Sequence, residues 1–145
     1  MLAISSDHAG YELKEKIKKY FEENGIKFTD FGTFSLESCD YPIIAEKVGN
    51  SVLNKESEKG ILICGAGIGM SIAANKIKDV RAALCYEPEL AELARKHNNA
   101  NVLCIGGRFT DFEKAKEIVN VFLNTAFEGE RHQRRIDMIK KLENN

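Results

Sequence analysis

With 145 residues the chain has the length of one domain, 1–145, and a domain of that size buries roughly two thirds of its unfolded surface without disulfide or metal staples. Lys and Arg number 21 against 22 Asp and Glu, a formal net charge of -1, which excludes the broad basic footprint that nucleic acid or an anionic membrane requires. Cys39, Cys64, Cys85 and Cys104 form no C-x-x-C pair; reduced thiols in a cytoplasmic protein are expected rather than a zinc knuckle or a redox dithiol. Met1-Leu2-Ala3-Ile4 enters an apolar run without the basic region of a signal peptide, and no segment approaches the roughly 20 apolar residues of a membrane span.

The first strand is read over Leu2–Ser5. Near Gly10 a helix follows with Leu13, Ile17 and Phe21 at four-residue spacing, ending at Asn24-Gly25. A second strand, Lys27–Phe31, leads through the polar loop Thr33–Asp40 to a helix from about Pro42 to Leu53, with proline accepted in its first turn. Gly60-Ile61-Leu62-Ile63-Cys64 is continuously apolar, as a strand covered on both faces must be, and opens into a glycine-rich turn and a helix. A fourth strand over Ala82–Cys85, a helix opened by Pro88, and a fifth strand over Val102–Ile105 follow. Thr110-Asp111-Phe112-Glu113 reads as a capping box for a helix that turns Ile118, Val119, Phe122 and Leu123 inward. A charged helix, about Glu130 to Leu142, remains with no strand after it, and a partner subunit is a natural cover for it. Strands alternating with helices specify an α/β fold, a doubly wound, Rossmann-like five-stranded parallel sheet, here expected in the order 2-1-3-4-5 with an extra C-terminal helix.

In such a sheet the ligand lies outside the carboxyl ends of the strands, at the switch point between strands one and three. That rule selects Ser6-Asp7-His8, the turn Cys64-Gly65-Ala66-Gly67-Ile68-Gly69, and Gly106-Gly107-Arg108. Glycines let the backbone approach an anion and aim its amides at it, although the same turn serves as a plain strand-to-helix connection. Cys64 stands where a helix start favours a thiolate, and it reads as a base or as a small core residue. Cys85 and Cys104 are assigned to packing. His97 closes the fourth helix, as an acid or as a helix-end cation, and Asn98 beside it offers an amide to an oxyanion or merely a turn. Arg131 and Arg135 are four apart and project from one helix face, as a phosphate clamp or a solvated basic face with Arg134. The histidines, His8, His97 and His132, are widely separated, so no metal is expected.

Taken together, Ser6-Asp7-His8-Ala9-Gly10, Asp40-Tyr41-Pro42, Ile63–Gly69, Ser71-Ile72-Ala73-Ala74-Asn75-Lys76, His97-Asn98 and Gly129-Glu130-Arg131-His132 resemble, in order and spacing, the type B ribose-5-phosphate isomerases, whose family also contains galactose-6-phosphate isomerase subunits. The resemblance implies an aldose-ketose isomerase of the pentose phosphate pathway, without cofactor, that works as a homodimer or tetramer with shared sites. Cys64 would carry the proton between the first two sugar carbons, His97 would assist ring opening with Asp7 close by, and the amides of Gly65, Ala66, Gly67, Ile68 and Gly69, with Asn98, would hold the enediolate. His8, Arg108, Arg131 and Arg135 would receive the phosphate, and Tyr41 would border the sugar. The second subunit would supply His97, Asn98 and Arg108. Ala66 replaces a common threonine, which bears on five-carbon against six-carbon substrates, and Glu130 replaces a second glycine and is expected to face solvent. A dinucleotide site is the rival, with Gly65, Gly67, Gly69 and the acidic Glu87, but its third glycine would fall on Met70. A sugar-phosphate-binding module without turnover is the other alternative.

Overall fold

The computed structural model describes residues 1–144. Its elements are β1 (Leu2–Ser6), a 3-10 turn (His8–Gly10), α1 (Tyr11–Glu23), β2 (Phe28–Asp30), α2 (Tyr41–Leu53), β3 (Lys59–Cys64), α3 (Ile68–Ala74), β4 (Ala82–Leu84), α4 (Pro88–Asn98), β5 (Val102–Gly106), α5 (Phe112–Asn124) and α6 (Arg131–Leu142). All five strands are parallel, in the order β2-β1-β3-β5-β4. The α/β class is therefore as expected, and the expected order 2-1-3-4-5 is corrected at its last two strands.

Right-handed crossovers account for the helix layers. After β1 the chain moves to one side of the sheet and after β3 to the other, and since a crossover keeps its hand, reversing direction changes the face on which the helix lies. Residues of α1, α4 and α5 accordingly pack with Ile4, Ile61, Ile63 and Leu103, while α2 and α3 cover Ala3, Leu62, Val102 and Cys104 from the opposite face. The composition also marks which strand is central: Val102-Leu103-Cys104-Ile105-Gly106 is buried throughout, whereas the three-residue, alanine-rich β4 is half-buried at the edge. There the Asn75 side chain closes the outer rim of the strand, its amide donating to the Ala82 carbonyl at 3.0 Å and its oxygen accepting from the Ala82 N–H at 2.8 Å.

Two local expectations change. Asp111, not Thr110, caps α5, accepting from the Lys114 N–H at 2.8 Å, and the Thr110 hydroxyl is buried without a hydrogen-bond partner among the described residues. On α1 the apolar stripe includes a cation: Lys14 is fully buried and its Nζ sits 2.8 and 2.9 Å from the two Asp30 carboxylate oxygens. Burial acts to raise the Asp30 carboxyl, but hydrogen bonds from Lys14, Lys18 and the Gly32 N–H outweigh it and hold the group below the ordinary carboxylate range. This cluster fixes the start of the loop that carries Cys39 toward the functional face. No helix among the described residues is long and apolar enough to cross a membrane.

Candidate active site

Three strand ends meet at the β1/β3 switch point. The Asp7 N–H bonds to the Ile63 carbonyl at 3.1 Å, the Gly107 N–H to the Cys64 carbonyl at 2.7 Å, and the Arg108 N–H to the Gly65 carbonyl at 3.0 Å. Glycine is required where these backbones touch: a Cβ on Gly10 would stand 2.4 Å from the Ile63 carbonyl oxygen, and one on Gly106 would stand 2.7 Å from that of Ala66. Asp7 Oδ1 accepts from the N–H groups of Ala9 at 2.9 Å and Gly10 at 3.0 Å, so the carboxylate is held at the mouth of the cleft. His8 Nδ1 accepts from the Cys39 N–H at 3.3 Å, which leaves the imidazole proton on Nε2. Tyr41 lies against Gly69, since a Cβ there would be 2.5 Å from its ring, and the Arg108 guanidinium lies over Gly65, 3.2 Å from where a Cβ would be.

Cys64 sits at the centre of this assembly. Its Sγ accepts a hydrogen bond from the Gly67 N–H at 3.1 Å, and Gly67 reaches that position with φ +80, a left-handed conformation that glycine adopts without cost. An N–H aimed at the sulfur stabilises a thiolate more than a thiol. The other strand-end cysteines are packing residues: burial pushes the Cys85 thiol up to about 11 and Cys104 higher still. Tyr86, which sequence reasoning passed over, donates its hydroxyl to the Ala66 carbonyl and braces the turn.

The remaining residues lie at the opposite edge, the one formed by the amino ends of the strands and not by β2 or β4. His97 and Asn98 end α4, and Asn101, just beyond, accepts from the Gly60 N–H at the start of β3; from there β5 climbs about 13 Å to the level of Cys64. The His97 ring stacks on His132 with centroids 4.3 Å apart, which carries the start of α6, with Arg131 and Arg135, to the same edge. Within one chain, Arg108 lies beside the Cys64 turn, while the helix start that carries Arg131 and Arg135 lies beside His97 and Asn98. Neither arginine takes part in an ion pair among the described residues, and Glu130 is exposed, as expected.

A family model described as Ribose/Galactose Isomerase matches residues 2–139. The chain belongs to the ribose/galactose isomerase family. Among curated relatives of this family, ribose-5-phosphate isomerase B of Escherichia coli is 45% identical over 142 residues, covering 98% of this chain and 95% of that protein. A crystal structure of a ribose 5-phosphate isomerase from Thermotoga maritima superposes with a TM-score of 0.95 at 54% identity, covering 97% of each chain. That of Mycoplasma genitalium ribose-5-phosphate isomerase B, solved with bound ribulose 5-phosphate, superposes with a TM-score of 0.94 at 43% identity and covers 99% of this chain and 96% of its own.

Family membership leaves one cluster unexplained. His97, Glu128 and His132 bring one donor atom each within 4.8 Å of one another, although His97 lies far from the other two in the sequence. The two imidazoles are only 12° from parallel, so their in-plane lone pairs do not converge on one ion as metal coordination requires.

Proposed function

We propose that residues 1–145 act as one sugar-phosphate isomerase domain, working in the cytoplasm, that interconverts ribose 5-phosphate and ribulose 5-phosphate. The observation that carries this reading is the Cys64 sulfur under the Gly67 N–H, beside Asp7 and Arg108, in a chain of the same family as a protein solved with ribulose 5-phosphate. An aldose-ketose shift needs one base that reaches two adjacent carbons, donors for the enediolate oxygens and an acid for the ring oxygen. The Cys64 thiolate takes the proton from the second carbon of the open aldose; electrons move into a carbon–carbon double bond and onto the carbonyl oxygen. The hydroxyl proton of the second carbon then passes to the oxygen of the first, the carbonyl forms at the second carbon, and returning the base's proton to the first carbon gives the ketose. With the Gly67 N–H on the Cys64 sulfur, the amides of Gly65, Ala66, Ile68 and Gly69 in the same turn are left to hold the developing oxyanion, and His8 and Arg108 receive the phosphate.

Because His97 and Asn98 stand at the other edge of the sheet, the reading requires a second copy to bring its His97, Asn98, Arg131 and Arg135 over the first copy's Cys64. Proton NMR of the protein with ribose 5-phosphate in deuterated water tests the activity: ribulose 5-phosphate with deuterium at the exchanged carbon is expected, and its absence refutes the substrate. Subunit mixing tests the sharing. Cys64→Ala, inactive alone, and His97→Asn, strongly slowed alone, leave one intact site in a hybrid dimer and should together regain about a quarter of wild-type activity; no recovery after subunit exchange refutes the shared site.

A further inference from the structure

We propose that Glu128 and His132 are positioning residues for His97, Glu128 as the counter-charge to the protonated ring and His132 as the flat platform that holds its plane, together aiming the acid that opens the cyclic sugar. The inference rests on the reading of His97 as the ring-opening group.

Glu128 Oε1 lies 3.8 Å from His97 Nε2, and the segment that carries it is tied to α4 by the Glu128 N–H on the Lys96 carbonyl at 3.1 Å and by Arg95 Nε on the Thr125 carbonyl at 3.1 Å. Glu128 therefore moves with the end of α4. His132 is buried, with its Nε2 unpartnered among the described residues. Burial, then the neighbouring His97 and Arg131, lower its tendency to take a proton, and of the two stacked rings only the half-exposed His97 has a nitrogen facing the Glu128 carboxylate. With Nε2 turned toward Glu128, Nδ1 remains to donate. In the step, the bond between the first carbon and the ring oxygen breaks, the ring oxygen takes the His97 proton, the anomeric hydroxyl loses its proton to water, and the aldehyde double bond forms.

Ribulose 5-phosphate has no free hydroxyl on its fifth carbon and cannot close this ring, so exchange of its first-carbon hydrogen with deuterated solvent needs the base but not the ring-opening acid. Two rates are measured for wild type, Glu128→Gln, His97→Asn and the double variant: turnover of ribose 5-phosphate, and deuterium exchange into ribulose 5-phosphate. For a half-exposed pair, Glu128→Gln should slow turnover about three- to fivefold, with exchange essentially unchanged and no further loss in the His97→Asn background. His132→Ala should show the same selective loss and His132→Phe, which keeps the stack, should recover most of it. Equal effects of Glu128→Gln on both rates, or an additive loss in the double variant, would overturn the inference while leaving His97 in place. If His97→Asn slows exchange as much as turnover, the reading of His97 fails and this inference with it.

Discussion

Glu130 stands at the N-cap of α6 with φ 53 and ψ -127 and makes no side-chain capping hydrogen bond. An L-residue in that region crowds its Cβ against its own backbone, at a cost of about 1–3 kcal/mol, whereas glycine occupies it freely. Glu130→Gly recovers that cost but gives the unfolded chain more freedom, worth about 0.5–1 kcal/mol. The side chain is exposed and forms no ion pair among the described residues, so nothing else is lost. At the middle of these ranges a net stabilisation of about 1 kcal/mol remains, which raises Tm by about 3–4 °C for a domain of this size. Thermal scans followed by circular dichroism read this directly, with Glu130→Gln as the control that removes the charge and keeps the Cβ. If Gly leaves Tm unchanged, or Gln raises it equally, backbone conformation is not the cause.

Gly67→Ala should do the reverse. Its Cβ would meet Leu84 Cδ1 at 2.5 Å in a conformation that costs alanine about 1–2 kcal/mol, and shifting the turn loosens the N–H from Cys64; kcat should fall about tenfold or more, and adding Leu84→Ala should restore part of the lost Tm, unless the contact is harmless. Lys14→Met removes the buried one of the two cations on Asp30, leaving Lys18 and the Gly32 N–H in place, and should destabilise the protein by about 1.5–3 kcal/mol at neutral pH in urea titrations. Because the folded Asp30 carboxyl is held low, its contribution is present above the unfolded value near about 4 and lost as pH falls through the folded value; the variant should therefore show a shallower acid loss than wild type, and an equal slope would contradict the pairing. Replacing Arg131 and Arg135 together with Ala should raise KM for ribose 5-phosphate with a smaller change in kcat, and an unchanged KM would remove them from phosphate binding.

Much of this was legible in the sequence because periodicity reports burial. The run Ile61–Ile63 marked a central strand, and the switch-point rule placed Asp7, Cys64 and Arg108 together before any coordinates. Strand order was less accessible, since Ala82–Cys85 and Val102–Ile105 read as equally short apolar runs; that β5 is longer and fully buried while β4 is short and half-buried appears only in the fold. Pairings across long separations were not legible at all. Nothing local links Glu128 to His97, Lys14 to Asp30 or Cys39 to His8; each depends on where crossovers return the chain. The division of arginines between the two edges of the sheet likewise follows from helix direction, which a motif does not encode.

The side chain of Asn75 imitates one residue of an additional strand along β4, occupying the N–H and C=O of Ala82 that would otherwise invite one. Growth of the sheet is thereby blocked on that side. A second copy is thus denied the extension of β4 into a continuous ribbon, and Asn75→Ala should expose a sticky rim whose first symptom is concentration-dependent aggregation with little loss of Tm.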